Sequence, residues 1–178
     1  MASRALRSEV RLGSWAPPDG RQNVKITFSI TLESTRTPEA ICWDIFDFEQ
    51  WSSFEGYGPV PAIRKATGKA SQSSIIGTEV YVENMDGSQH VETIESFEAY
   101  TSLVMRISDF SSPLRYLATH FIERWDLSQR PATYRVTRTF ELYPRNALAF
   151  PLLWIVSRFL SKAVEIHTRH VANPRVLT

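Results

Sequence analysis

Two charged residues stand out because each interrupts an apolar face of a predicted strand. Phe121, Trp125 and Leu127 share one face of a predicted strand, and Glu123 falls on the same face. Arg138 falls in the same way among apolar residues of the next predicted strand. If the two strands form a hairpin that pairs Leu127 with Tyr134, Glu123 lies directly opposite Arg138. We predict this register, which a slip of one residue would destroy.

An opposed carboxylate and guanidinium on an inner face can do acid–base chemistry. Arg138 would polarise a ligand carbonyl or bind an enolate oxygen, and Glu123 would donate or accept the proton. The pKa of Glu123 would then be governed by burial and by the Arg138 charge. The alternative is a cross-strand ion pair that satisfies itself without doing chemistry. The sequence leaves both interpretations open.

Asp109 and His167 are two further candidates. Asp109 follows alternating apolar residues and either lies at the edge of a cavity as a base or caps the following loop. His167 either takes part in proton transfer or lies in solvent near the end of the terminal helix. His167 and His170 are three residues apart but lack a clear carboxylate as third ligand, so we predict no metal site.

Composition excludes several other classes of function. The 20 Lys and Arg residues balance 19 Asp and Glu residues without a basic stripe, so we expect no nucleic-acid partner. The single cysteine, Cys42, excludes an intrachain disulfide and is expected to be a buried thiol. Phosphate-binding glycine loops, nucleophile elbows and HExxH motifs are absent from the sequence, and no cofactor is predicted.

The predicted elements that must position these residues begin with a strand of clean period-two alternation at 24–32. A helix follows, capped by Thr37 and opened by Pro38, and a second short helix runs from Asp47 to Trp51. A long helix with an apolar stripe is predicted at 146–172, with Pro151 implying a late start or a kink. Between them alternation predicts six strands, at 60–68, 77–84, 90–98, 102–110, 118–127 and 133–143.

This order predicts an α+β domain in which a curved, seven-stranded antiparallel sheet wraps around the long C-terminal helix. The domain is expected to span 24–172, after an irregular N-terminal extension at 1–23 and before a short tail at 173–178. Basic residues give the extension a weak resemblance to a transit peptide, with an ordinary extension as the alternative. The apolar run at 147–156 is too short to span a bilayer, so no transmembrane segment is predicted.

A sheet closed by a helix need not be filled, and an aromatic content of 12% suits either a large core or a lined cavity. Three loops, at 56–61, 86–87 and 111–115, should lie at one end of the sheet and form the cavity mouth. Besides the charged candidates, the residues expected to contact a ligand are Tyr81, Met105, Ile107, Phe121, Trp125, Tyr134, Phe140, Phe159 and His167.

The segment from Pro38 to Trp51, with its Trp-Asp and Asp-Phe pairs, resembles the helix-grip superfamily. Further matches are Gly77 at the start of a strand, the turn at 86–87 and the run at 136–140. This SRPBCC or START-like superfamily includes START domains, polyketide cyclases and coenzyme Q-binding proteins. The resemblance covers 24–172 and implies the helix-grip fold and one hydrophobic small-molecule ligand.

The resemblance leaves two functions open. One is an enzyme of secondary metabolism, a lyase or isomerase that performs cofactor-free cyclisation, dehydration or isomerisation of a polyketide- or terpenoid-like substrate. The other is a non-catalytic carrier or sensor of a lipid, quinone or similar apolar ligand. In either case we expect a cytoplasmic monomer or homodimer.

Overall fold

The computed structural model describes residues 7–12, 24–69 and 74–174. Eight antiparallel strands form one sheet in the order β1-β2-β8-β7-β6-β5-β4-β3, and the long C-terminal helix packs against β2 and β8. The elements are β1 (Arg7–Leu12), β2 (Ile26–Ser34), α1 (Pro38–Phe46), a 3₁₀ helix (Phe48–Ser53), β3 (Ile63–Lys69), β4 (Glu79–Asn84), β5 (Gln89–Glu98), β6 (Ser102–Ser108), a second 3₁₀ helix (Leu114–Tyr116), β7 (Ala118–Gln129), β8 (Tyr134–Pro144) and α2 (Phe150–Ala172).

The predicted seven-stranded sheet with its terminal helix is confirmed, and an eighth strand extends it. Strand β1 lies within the N-terminal segment that was expected to be irregular, and it pairs antiparallel with β2. Charged residues alternate with others at 7–12, a period-two pattern that the prediction passed over.

The centre of the sheet is β2 and β8, where the apolar alternation is cleanest. Every second residue of β2 from Ile26 to Leu32 is buried, and Phe28 stacks on Phe140 of β8 with ring centroids 5.3 Å apart. Mismatches in register between β5 and β6 and between β7 and β8 mark irregularities that help the sheet to curve. The concave face therefore surrounds α2 and leaves space beside it.

The two short helices after β2 follow the predicted start signals. Thr37 accepts a hydrogen bond from the backbone N–H of Ala40 at 3.2 Å, as expected of a cap. Cys42 is buried, as predicted, and burial raises the pKa of its thiol to about 11. Trp51 Nε1 donates to the backbone oxygen of Ile45 at 2.8 Å, which fixes the 3₁₀ helix against α1.

The β7–β8 hairpin differs in register by two residues from the prediction. Leu127 pairs with Val136 rather than with Tyr134, and Glu123 pairs with Phe140 rather than with Arg138. The strands continue further than the alternation suggested, and the turn closes at 130–133. Because the shift is even, every side chain keeps its face.

Helix α2 begins at Phe150, which is the late start predicted as one of two outcomes from Pro151. Residues 146–149 form a turn in which Asn146 Oδ1 accepts from the N–H of Ala149 at 2.9 Å, and Pro151 lies in the first helical turn. The buried stripe of α2 includes Leu153 and Val164, both with no exposed surface. In the part of the chain that the structure describes, no helix is long and apolar enough to cross a membrane.

Candidate functional site

Two connected chambers lie between the concave face of the sheet and α2. The far chamber, of about 270 Å³, lies beneath α1 and the first 3₁₀ helix and reaches His170 on α2. The mouth chamber, of about 300 Å³, lies beneath the loops at 56–61, 86–88 and 111–114. The three loops predicted to form the mouth thus line this chamber. The chambers share five lining residues, which we call the junction: Phe54, Ile63, Glu92, Glu123 and Arg138.

Glu123 and Arg138 form a buried ion pair at the junction. Arg138 Nε donates to Glu123 Oε1 at 2.6 Å, and the two residues are 7% and 1% exposed. Trp125 Nε1 donates to the same oxygen at 2.5 Å. Glu123 and Arg138 are diagonal neighbours on adjacent strands and not directly opposite each other, because Glu123 pairs with Phe140. The predicted contact therefore forms despite the wrong register.

Arg138 is held on several sides. Its guanidinium carbon lies 4.4 Å from the ring centroid of Trp125 and 5.2 Å from that of Phe140. Its Nη1 lies 2.9 Å from His167 Nδ1. Stacking on aromatic faces and charge-assisted hydrogen bonds both favour a fixed orientation of a buried guanidinium. The cation is therefore preorganised at the wall of the cavity.

The contact with Arg138 defines the tautomer of His167. A guanidinium has only donors, so His167 Nδ1 must accept and the ring proton lies on Nε2. His167 Nε2 lies 3.3 Å from Ser53 Oγ, and the ring packs edge-on against Phe54. Burial, followed by the Arg138 charge, lowers the pKa of His167 to about 3. His167 is therefore a neutral group that orients Arg138.

Burial dominates the electrostatics of Glu123. It raises the pKa of this carboxyl, while the Arg138 charge acts in the opposite direction and the Glu92 carboxylate adds to the rise. Within the described residues, both hydrogen bonds to Glu123 go to Oε1. Oε2 is thus the oxygen available to a ligand, and a raised pKa suits a group that exchanges a proton.

Glu92 is a site residue that the sequence reasoning missed. It is 7% exposed, lines both chambers and lies 3.1 Å from His90 Nε2 through Oε1. Glu92 and Ile94 lie on the same face of β5, and Ile94 is 1% exposed. This shared face was the sequence signal that could have identified Glu92 as an inward-facing residue. That signal was weak because the apolar pattern of β5 breaks where the register shifts after Ile94. The junction thus holds two carboxylates and one guanidinium.

Most of the other predicted ligand contacts line the cavity. Met105, Trp125 and His167 lie on the far chamber, whereas Ile107, Phe121 and Phe140 lie on the mouth chamber. They come from β6, β7, β8 and α2, which all present their concave-facing positions to the same space.

Four predicted site residues lie elsewhere. Tyr81 is 49% exposed because the inward positions of β4 are Val80 and Val82, and Asp109 is exposed in a shallow depression on the same outer face. Phe159 packs against the ring of Tyr57, and Tyr134 is half-buried at the hairpin end. None of the four lines a chamber formed by the described residues. Asp109 is therefore not a candidate base.

Comparison with known proteins identifies the fold. The sequence matches no protein-family model and no curated protein. One similar structure is the di-domain ARO/CYC StfQ from the steffimycin biosynthetic pathway, with a TM-score of 0.65, 12% identity, and coverage of 83% of this chain and 49% of that one. A START superfamily protein from Mycobacterium smegmatis gives a TM-score of 0.55 at 13% identity, covering 82% of this chain and 98% of that protein.

A third similar structure is Ara h 8.0201, with a TM-score of 0.55, 15% identity, and coverage of 80% of this chain and 97% of that one. The chain thus has the START-like, helix-grip fold that its sequence resembles. At these identities the likeness extends to the fold, and the argument for function rests on the site.

Proposed function

We propose that this protein binds one hydrophobic small molecule in the two-chamber cavity and catalyses a cofactor-free acid–base reaction on it. The reaction class is cyclisation, dehydration or isomerisation of a polyketide- or terpenoid-like substrate. The observation that supports it is the convergence of Glu92, Glu123 and Arg138 at the junction, inside a cavity whose mouth is lined by apolar side chains. Burying two carboxylates costs free energy that the enclosure of an apolar molecule does not require.

Each group has a role in the proposed reaction. An apolar body in the mouth chamber would place its polar end at the junction, against Arg138. As a proton leaves the carbon beside a carbonyl, the guanidinium stabilises the oxygen that gains negative charge. Glu123 or Glu92 accepts that proton and returns it to another atom, so no external reactant is needed for an isomerisation.

A fold neighbour supports the proposed substrate class. StfQ is an ARO/CYC protein from the steffimycin biosynthetic pathway, and its fold is similar to that of this chain. On this fold-level analogy we propose a polyketide-like substrate. We also expect a cytoplasmic monomer or homodimer with no nucleic-acid partner, in line with the balanced charge.

A carrier or sensor of a lipid, quinone or similar ligand is the second candidate. The observation in its favour is that Glu123 and Arg138 already bond to each other, to Trp125 and to His167. Such a network can hold a cavity open without taking part in a reaction.

Native mass spectrometry of gently purified protein, followed by denaturation and identification of any released molecule, tests the proposal first. The released molecule defines the series of compounds to assay for turnover. At least one of Glu123→Gln and Glu92→Gln should retain binding and lower kcat by at least about 100-fold, because it lacks the carboxylate that moves the proton. Asp109→Asn, on the outer face, is the matched control and should leave kcat unchanged. Unaltered ligand and no turnover with any compound of the series would favour the carrier.

A further inference from the structure

An exposed apolar patch lies beside the cavity mouth, on the first turns of α2 and the turn before it. Leu148, in the turn before α2, is 88% exposed. Leu152 and Ile155 are 54% and 49% exposed, and their spacing of three residues places them on one side of the helix. The adjacent Val156 and Leu160 line the mouth chamber. The outer patch therefore continues into the wall of the cavity. Single exposed leucines are ordinary on protein surfaces, but an aligned group at a cavity mouth is not.

The second 3₁₀ helix extends this patch. Arg145 holds the turn before α2 against it, through hydrogen bonds from its backbone N–H to Leu117 O at 2.9 Å and from its Nε to Arg115 O at 2.7 Å. Tyr116 is 57% exposed there, between Leu114 and Leu117, which line the mouth chamber. Tyrosine combines an apolar ring with a polar tip, a combination suited to a boundary between water and lipid.

The charge around the patch is entirely basic along these segments. Arg115, Arg145 and Arg158 are exposed, and within the described residues none of them is part of an ion pair. The stretches 110–122 and 142–164 contain no Asp or Glu, although the whole chain carries a net charge of only +1. Positive charge is thus concentrated beside the exposed apolar side chains.

We propose that this patch docks the protein on an anionic lipid membrane, with Leu148, Leu152, Ile155 and Tyr116 in the interface. Apolar side chains flanked by arginines are the combination that binds such surfaces, by burial of apolar area and by attraction to lipid headgroups. An acidic protein partner would use the arginines but leaves less reason for a leucine that is 88% exposed. Docking here would bring the mouth chamber against the membrane and let an apolar molecule pass between the two.

Co-sedimentation with vesicles tests this proposal. We expect binding to phosphatidylcholine vesicles that contain phosphatidylserine, at least about tenfold weaker binding to pure phosphatidylcholine, and release by high salt. The triple variant Leu148→Ser/Leu152→Ser/Ile155→Ser should lose binding, and so should Arg115→Gln/Arg145→Gln/Arg158→Gln. Trp43→Ser is the control, because Trp43 is 64% exposed on α1, away from the mouth, and should bind like the wild type.

A fluorophore provides a readout that does not depend on sedimentation. The native Cys42 is buried, so an environment-sensitive dye attached to Leu152→Cys labels the patch selectively, with Trp43→Cys as the matched site. Anionic vesicles should shift the emission of the Leu152 dye to the blue and leave that of the Trp43 dye unchanged. Equal shifts at both sites, or vesicle binding that survives the leucine variant, would contradict the proposal.

Two other occupants of the patch have distinct signatures, and either would overturn the proposal. A concentration-dependent dimer that the leucine variant dissociates would identify a second copy of the chain. Salt-sensitive binding to polyaspartate without vesicle binding would identify an acidic protein partner. The vesicle experiment uses no cavity ligand, so its outcome is independent of the proposed catalytic function.

Discussion

At the scale of single residues, the buried charge of Arg138 is stabilised by partners within the protein instead of by water. The guanidinium combines an ion pair with Glu123, a hydrogen bond to His167 and two aromatic faces. Glu123 in turn accepts from Trp125. Removing one member takes a partner from a group that stays buried, which is why a buried pair is costly to break even when forming it gains little.

Arg138→Met should lower the free energy of unfolding by about 3 kcal/mol, since it removes the cation that pairs with Glu123 and leaves His167 Nδ1 without a donor. Glu123→Gln should cost less, about 1–2 kcal/mol, because the amide oxygen still accepts from Trp125. Urea unfolding measures both. As a control, Lys25→Met breaks the more exposed Lys25–Glu141 ion pair and should cost less than about 1 kcal/mol. Equal losses of unfolding free energy at the two ion pairs would show that burial does not raise the cost of breaking the Glu123–Arg138 pair.

His167 should make stability depend on pH. Its pKa is lowered to about 3 in the folded protein from an ordinary value of 6.5, so between these values the unfolded chain binds more protons. Stability from this group is therefore complete above about pH 6.5 and is lost as the pH falls toward 3. His167→Asn preserves an acceptor for Arg138 but does not titrate.

Denaturant unfolding of wild type and His167→Asn at several pH values measures this contribution as a difference. The advantage of the wild type should shrink by about 1–2 kcal/mol between about pH 6.5 and about pH 4, allowing for partial exposure of the ring. Taking the difference removes the opposing contribution of Glu123, whose raised pKa favours the folded state at acid pH. A constant difference across this range would mean that His167 titrates normally in the folded state.

At the scale of elements, the period of the apolar residues was sufficient to predict seven of the eight strands and the faces of β7 and β8. Phe121, Trp125 and Phe140 face the cavity because alternation fixes the side of a strand, whatever its partner. The register between β7 and β8 was not predictable, because a shift by two residues satisfies the same apolar pattern and only the closing turn selects between registers.

The site was predictable only where the alternation was regular. Glu92 was missed because β5 loses its pattern at the irregularity after Ile94. Tyr81 faces outward because Val80 and Val82 on either side of it take the buried positions of β4. Asp109 adopts a φ of 53° just after β6, which turns the chain away from the alternation that had been extended to it.

The loop at 56–61 requires glycine at position 58 for two reasons, the backbone conformation there and the side chain packed against it. Gly58 has a φ of +59°, and a Cβ there would lie 2.7 Å from Phe159 Cδ1. Gly58→Ala should therefore lower the free energy of unfolding by about 2–3 kcal/mol, from backbone strain and the clash with the ring. Gly87→Ala is the matched control, with a φ of +83° and nothing within 4 Å of a built Cβ.

Thermal or urea unfolding of the two glycine variants separates these contributions. Gly87→Ala should show only the backbone cost of about 1–2 kcal/mol. The excess at Gly58 should largely disappear in the background Phe159→Ala, since the clashing ring is then absent. An undiminished excess in that background would place the strain elsewhere in the loop.

At the scale of the whole molecule, the curved sheet and α2 form two layers that meet firmly at β2 and β8 and diverge toward β3–β6. The two chambers occupy the divergent side, and the junction residues divide them. A ligand that enters beneath the loops passes Asp86 and then mostly apolar side chains before it reaches the charged groups of the junction. This arrangement predicts that affinity is set by the mouth chamber and reactivity by the junction.

Narrowing the mouth chamber from the helix side tests that division. Val156 lines the chamber from α2, so Val156→Trp should fill part of its volume of about 300 Å³ and weaken binding of a fluorescent naphthalene probe about tenfold, or about 1.4 kcal/mol. Ile166→Trp adds the same ring at a position on α2 that is 38% exposed, and it should bind the probe like the wild type. Equilibrium titration measures both affinities, and Glu123→Gln in the same assay should change the affinity less than Val156→Trp does. If Glu123→Gln instead has the larger effect, the polar junction rather than the apolar mouth determines affinity, and the ligand must be anchored by its polar end.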